Sequence, residues 1–223
     1  MPKESKTRYV LVELACHLPY SIFGVTLGLI AMGVLTFFAT LMRAEALLPE
    51  ASLELFHVLH PAHVLMSSVV TTAMFYKHEK RILKAIIIGS LGSILICGLS
   101  DIFFPFVGGV MLQAEMHMHV CVLEHPGLII PFALIGVVAG MFISETIDKA
   151  TQYSHSAHVF ISSAASILYL LGYGLTDWID LVGGVFLVTI VSVMVPCCTS
   201  DIIFPLACVH RDFRHSDKLL HDH

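Results

Sequence analysis

The sequence predicts an all-α integral membrane protein of six transmembrane helices, arranged as two inverted three-helix repeats with both termini cytoplasmic. Three observations lead there. The chain is 57% hydrophobic and only 13% charged, about half the charge of a soluble domain. Six apolar runs approach or exceed the length of about 20 residues that a helix needs to cross a bilayer core. The basic residues gather at alternate ends of those runs. A mean hydropathy of +0.85 requires most of the surface to meet lipid or other helices.

The six runs are Leu18–Leu41, Leu55–Tyr76, Ala85–Phe106, Pro126–Ser144, Ala157–Leu175 and Leu181–Val209. The first is too long for a signal-peptide core and has no processing site behind it, so it reads as a span. Lys3, Lys6 and Arg8 precede span one, and Lys77, Lys80, Arg81 and Lys84 fill the turn between spans two and three. Lys149 lies between spans four and five, and Arg211, Arg214 and Lys218 follow span six. Eleven of the twelve basic residues thus fall on one side, which the positive-inside rule makes cytoplasmic; only Arg43 falls on the other. The outer loops are acidic, with Glu45, Glu50, Glu54, Glu115, Glu124, Asp177 and Asp180, a surface that concentrates cations. The net charge of −5 and the lack of a basic patch argue against nucleic acid as a partner. The six cysteines form no CxxC or disulfide framework.

The chain repeats itself within a single membrane domain, residues 1–223. His60-Pro-Ala-His-Val-Leu-Met-Ser-Ser68 matches His155-Ser-Ala-His-Val-Phe-Ile-Ser-Ser163 at six of nine positions. Ser100-Asp-Ile-Phe-Phe-Pro105 matches Ser200-Asp-Ile-Ile-Phe-Pro205 at five of six. Cys97 and Cys197 stand at the same distance before the two Ser-Asp pairs, and His17 and His125 each precede a GxxxG, Gly24/Gly28 and Gly136/Gly140. Repeat one covers 9–108 and repeat two 119–209. Three spans per copy is an odd number, so the copies face opposite ways, a plan that recurs in secondary transporters.

Carrying the repeat through this topology predicts two matching sites. His60, His63, Asp101 and His125 are expected near the outer face, and His17, His155, His158 and Asp201 near the cytoplasmic face. Each HxxH places its two imidazoles on one side of a helix. Imidazole with carboxylate suits Zn, Fe, Mn, Co or Ni, and ionisable groups at membrane depth mark ion sites by default. Pro105 and Pro205 cannot donate to the carbonyls four residues back, so Asp101 and Asp201 would each present a carboxylate beside a freed backbone oxygen. His57 continues the His60/His63 stripe as a spare ligand or an interfacial residue. The run Glu115-Met-His117-Met-His119-Val-Cys121 resembles a metal-collecting loop but occurs in one copy only.

The function expected from these residues is a transporter or channel for a divalent transition metal in the cell membrane, with the metal ion and the bilayer as partners. The oligomeric state is left open, a homo-oligomer included. Two other readings use the same residues: a transmembrane cytochrome with two bis-histidine haems b, and a membrane metalloenzyme. The extra histidine and the aspartate of each cluster count against haem. Two balanced sites and the absence of a nucleophile motif count against an enzyme. A fourth reading is a structural subunit whose repeats record duplication only.

Overall fold

A computed structural model describes the backbone of residues 6–145 and 151–198, with side chains over 18–145 and 156–196. Among the described residues every regular element is helical: α1 Lys6–Leu41, α2 Leu48–His78, α3 Ile82–Gly98, α4 Phe104–Met111, α5 Cys121–Glu124, α6 Pro126–Ile143, α7 Thr151–Gly172 and α8 Val182–Cys198. Four stretches are long and apolar enough to cross a membrane: Leu18–Leu41, Glu45–His78, Ile82–Met111 and Pro126–Ile143. The described apolar parts of the last two helices, Ser156–Gly172 and Val182–Pro196, are shorter.

Local sequence explains where the helices begin and end. Pro49 and Pro126 occupy first-turn positions, where a missing N–H costs nothing. The α1 helix closes with Arg43 at φ 56°, so that Ala44 N–H reaches the carbonyl of Ala39 and Arg43 N–H that of Thr40. The α4 helix ends identically, with Gln113 at φ 65° and Ala114 N–H on Gly109. Both are Schellman closures, which satisfy the last carbonyls at the expense of one left-handed residue.

Large apolar side chains face outward, among them Phe23, Phe37, Leu95 and Phe142, the last 83% exposed. The interior is unusually polar: α2 buries Ser52, His60, His63, Ser67, Ser68, Thr71 and Thr72. This inside-out distribution suits a helix bundle in lipid, where small and hydroxyl-bearing residues hold helices together. The α2 helix is central, packing against α6, α7 and α3, while α1 lies against α7 and α8.

Each of the two GxxxG motifs lies against a histidine-bearing helix. Gly24 and Gly28 of α1 abut Val159–Phe160 and Ala164–Ile167 of α7. Gly136 and Gly140 of α6 abut Leu65–Ser68 and Val69–Ala73 of α2.

Several boundaries depart from the sequence expectation, α1 beginning already at Lys6 rather than Leu18. The α2 helix starts at Leu48 rather than Leu55, because Pro49 and Glu50 open it seven residues earlier. Its middle therefore moves to His63, the sixteenth of 31 residues. The third span runs on to Met111 as one rod interrupted by a π-helical turn, Leu99–Phe103. The α7 helix starts at Thr151, six residues before the expected span.

Candidate functional site

The π turn determines what Asp101 can do. Within it the Phe104 N–H bonds the carbonyl of Leu99, five residues back, and Pro105 has no N–H to offer the next carbonyl, that of Ser100. The Ser166 hydroxyl of α7 lies 3.0 Å from the Ser100 oxygen and 2.8 Å from the carbonyl of Ser162, so its one hydrogen is shared between them. The sequence expectation, drawn in α-helical register, assigned the freed oxygen to Asp101. The wider turn shifts it to Ser100, one residue earlier.

The Asp101 side chain is fully buried and accepts four hydrogen bonds. His60 Nδ1–H and His63 Nδ1–H donate to Oδ2 at 2.8 and 2.7 Å. Ser100 and Ser162 donate their hydroxyls to Oδ1 at 2.7 and 3.0 Å. A carboxylate has about four lone-pair sites, so this one has none left for an ion. In this arrangement Asp101 orients the two imidazoles, and both Nε2 atoms of the HxxH pair point away from it. His60 is covered by Phe56, whose ring stacks on it at 5.2 Å between centroids.

His158 completes this centre. Its Nε2 lies 2.9 Å from Nε2 of His63, and its side chain is buried. With both rings neutral, His63 carries its hydrogen on Nδ1, so His158 Nε2–H donates to His63 Nε2. His158 Nδ1 is then a buried lone pair with no partner among the described residues.

Four of the eight residues singled out in the sequence thus meet in one place: His60, His63, Asp101 and His158. The expected separation of His158 from the other three, towards the opposite face, does not hold. Helical spacing gave its side of α7 but not its depth, and the longer α2 brings His63 to the same level. His125 is not in the set; it lies beside His57, with ring centroids 5.1 Å apart. The side chains of His17 and His155, and all of Asp201, lie outside the described residues.

A second histidine group was only half legible. His57, His119 and His125 each bring one possible ligand atom within 4.8 Å of the others, a cluster that could hold a metal ion. His57 came from the α2 stripe and His119 from the Met-His-Met-His loop. Their pairing depends on a loop that bends back over α2, which no periodicity announces. In the loop, His117 and Met118 are exposed while His119 turns inward and stacks on Tyr173 at 5.0 Å. The His119 backbone N–H rests on the Tyr169 hydroxyl at 3.2 Å.

Burial favours the neutral ring and holds the His119 imidazole below its ordinary pKa, against the opposing pull of the Glu124 carboxylate. The Val120 backbone N–H, together with His119, keeps the Glu124 carboxyl below the usual range. Cys121, named with Glu115, His117 and His119 as a possible donor of this loop, is fully buried and its thiol is pushed up to about 12, chiefly by burial. A thiol so buried is a weak nucleophile at neutral pH. A variant retaining Cys121 as its single cysteine is expected to react with maleimide at pH 7.5 only after denaturation. Rapid labelling of the folded protein would show that the loop does not pack as described.

No family model, curated protein or solved structure matches this chain.

Proposed function

We propose that the protein is a multi-pass transporter or channel of the cell membrane for a divalent transition-metal ion, with His60, His63, Asp101 and His158 as its central site. The observation that carries this reading is a buried polar stripe along one face of α2. His57, His60, His63, Ser67 and Thr71 follow one another at helical spacing, over about 21 Å of axial rise. Apart from the partly buried His57 all are buried, and the Ser67 and Thr71 hydroxyl oxygens have no partner among the described residues. Unpaired polar groups in a bundle interior are costly, and a path for a hydrated or exchanging cation gives them a use.

The central site would hold the ion through Nε2 atoms of His63 and His158, with His60 adjacent. Asp101 would act from behind, as carboxylates do behind metal-binding histidines. Two nitrogens on one tetrahedral zinc-type ion stand about 3.3 Å apart, so the His63–His158 contact need open by only about half an ångström. Phe56, whose ring touches those of both His57 and His60, packs against Tyr169 and Tyr173 and would close the stripe beside the two histidines. Its displacement would then be part of each passage.

Six spans and an inverted repeat belong to this proposal. Support comes from the matched GxxxG contacts, α1 on α7 and α6 on α2. It comes also from the contact of His63 with His158, the same position in the two HxxH copies. A residue that touches its own equivalent lies on a two-fold axis. The cytoplasmic termini rest on the basic residues alone. The two-haem reading, which pairs His60 or His63 with His125 and His155 or His158 with His17, gains less support, because His125 lies beside His57 and His63 lies against His158.

The test is zinc uptake into proteoliposomes. His158→Ala is expected to abolish flux while the protein still inserts and purifies as a monodisperse species. Wild-type flux in that variant would remove the proposal.

A further inference from the structure

We propose that His57, His119 and His125 form a separate, outward-facing tetrahedral site for a zinc-type divalent cation, with Glu124 orienting His119 from behind and the fourth coordination position open. The role assigned to it, loading the ion ahead of the central site, rests on the transport reading. The site itself does not.

The hydrogen positions carry the argument. His57 Nδ1 lies 2.8 Å from the backbone carbonyl of Leu53, which can only accept, so that nitrogen bears the hydrogen. His119 Nδ1 lies 2.8 Å from a carboxylate oxygen of Glu124 and must likewise donate. Each neutral ring is left with its lone pair on Nε2, and these two Nε2 atoms face each other at 3.4 Å. Two acceptors opposed in this way repel unless a cation sits between them. The separation matches the edge of about 3.3 Å expected for two imidazole nitrogens on a tetrahedral ion.

The surroundings fit a site that exchanges its ion. A carbonyl behind one histidine and a carboxylate behind another is the usual means of fixing tautomer and ring orientation in metal sites. His125 is the exposed third ligand, with the freedom to close the last distance. It borders an open depression with Glu54, His57 and Glu124, so the fourth position faces water and an acidic rim. Three protein ligands and one open place distinguish an exchanging centre from a closed structural one. Nitrogen donors select zinc, cobalt or nickel over magnesium and calcium.

Cobalt(II) serves as the probe, because four-coordinate cobalt absorbs strongly in the visible. Detergent-purified protein is expected to bind Co²⁺ with that tetrahedral spectrum, and an excess of Mg²⁺ should leave it unchanged. His57→Ala with His119→Ala, made in a His63→Ala/His158→Ala background that removes the central ligands, should eliminate it. Glu124→Gln, an exposed change that leaves the fold alone, should keep the spectrum and weaken binding about 10–100-fold. Gly33→Ala, remote from any contact, should leave spectrum and affinity as they are. An unaltered cobalt spectrum on adding His57→Ala with His119→Ala to that background overturns the site, as does undiminished affinity in Glu124→Gln. Absence of zinc flux in proteoliposomes whose protein keeps the cobalt spectrum would overturn the transport reading and leave this site standing.

Discussion

Asp101→Asn is expected to reduce zinc flux about 10–100-fold while the protein stays folded, the usual loss when the carboxylate behind a metal-binding histidine is removed. Four donors converge on this carboxylate: two imidazole N–H groups on one oxygen and two serine hydroxyls on the other. Asparagine keeps one oxygen for the imidazoles. Its NH₂ can face Ser100 and Ser162, whose hydroxyls can turn and accept. The charge that holds His60 and His63 in one tautomer is nevertheless gone.

Asp101→Ala should be worse on both counts. It leaves two buried imidazole donors without partners, at about 1–3 kcal/mol each. Thermal unfolding in detergent, run beside flux per unit of inserted protein, separates the two effects. Asp101→Asn should lose transport far more than melting temperature. Undiminished flux in that variant would mean that Asp101 serves packing alone.

The second large effect is expected at the α6–α2 interface. A Cβ on Gly136 would fall 1.8 Å from the Ser68 hydroxyl and 2.5 Å from the Leu65 carbonyl oxygen. One on Gly140 would fall 2.5 Å from the Val69 carbonyl oxygen and 2.9 Å from Cβ of Thr72. A serine rotamer can turn aside, but a helix backbone cannot, so α6 must move off α2. Overpacking of this kind costs about 1–3 kcal/mol per site, and two sites on one interface will not simply add.

The consequence reaches the functional residues because α2 carries His57, His60 and His63. Gly136→Ala/Gly140→Ala should therefore lower both melting temperature and flux. Gly33→Ala is the control. Gly33 is also helical but has nothing within 4 Å of its would-be Cβ, and alanine there should be neutral or slightly stabilising. Equal melting temperatures for the double variant and the control would show that α6 does not lie this close to α2.

Much of the bundle was legible before any coordinates. Runs of apolar residues locate helices because lipid leaves the backbone no other way to satisfy its polar groups. The HxxH spacing placed His60 and His63 on one side of α2, and both do reach the same oxygen of Asp101. The doubled Ser-Asp-Ile-x-Phe-Pro drew attention to Asp101 and Pro105. It could not reveal the π turn between them, since five-residue hydrogen bonding leaves no mark on residue spacing.

What the sequence by itself determined, then, was the side of each helix that carries the polar groups, since an azimuth of 100° per residue follows from backbone geometry alone. Depth and partnership were decided only in the tertiary structure. His158 meets His63 because α2 begins at Leu48 and two GxxxG contacts set the levels of α7 and α2. His119 meets His57 because a loop without periodicity folds over the helix end. Those encounters are sums of many packing contacts between distant segments, and no local pattern of residues encodes them.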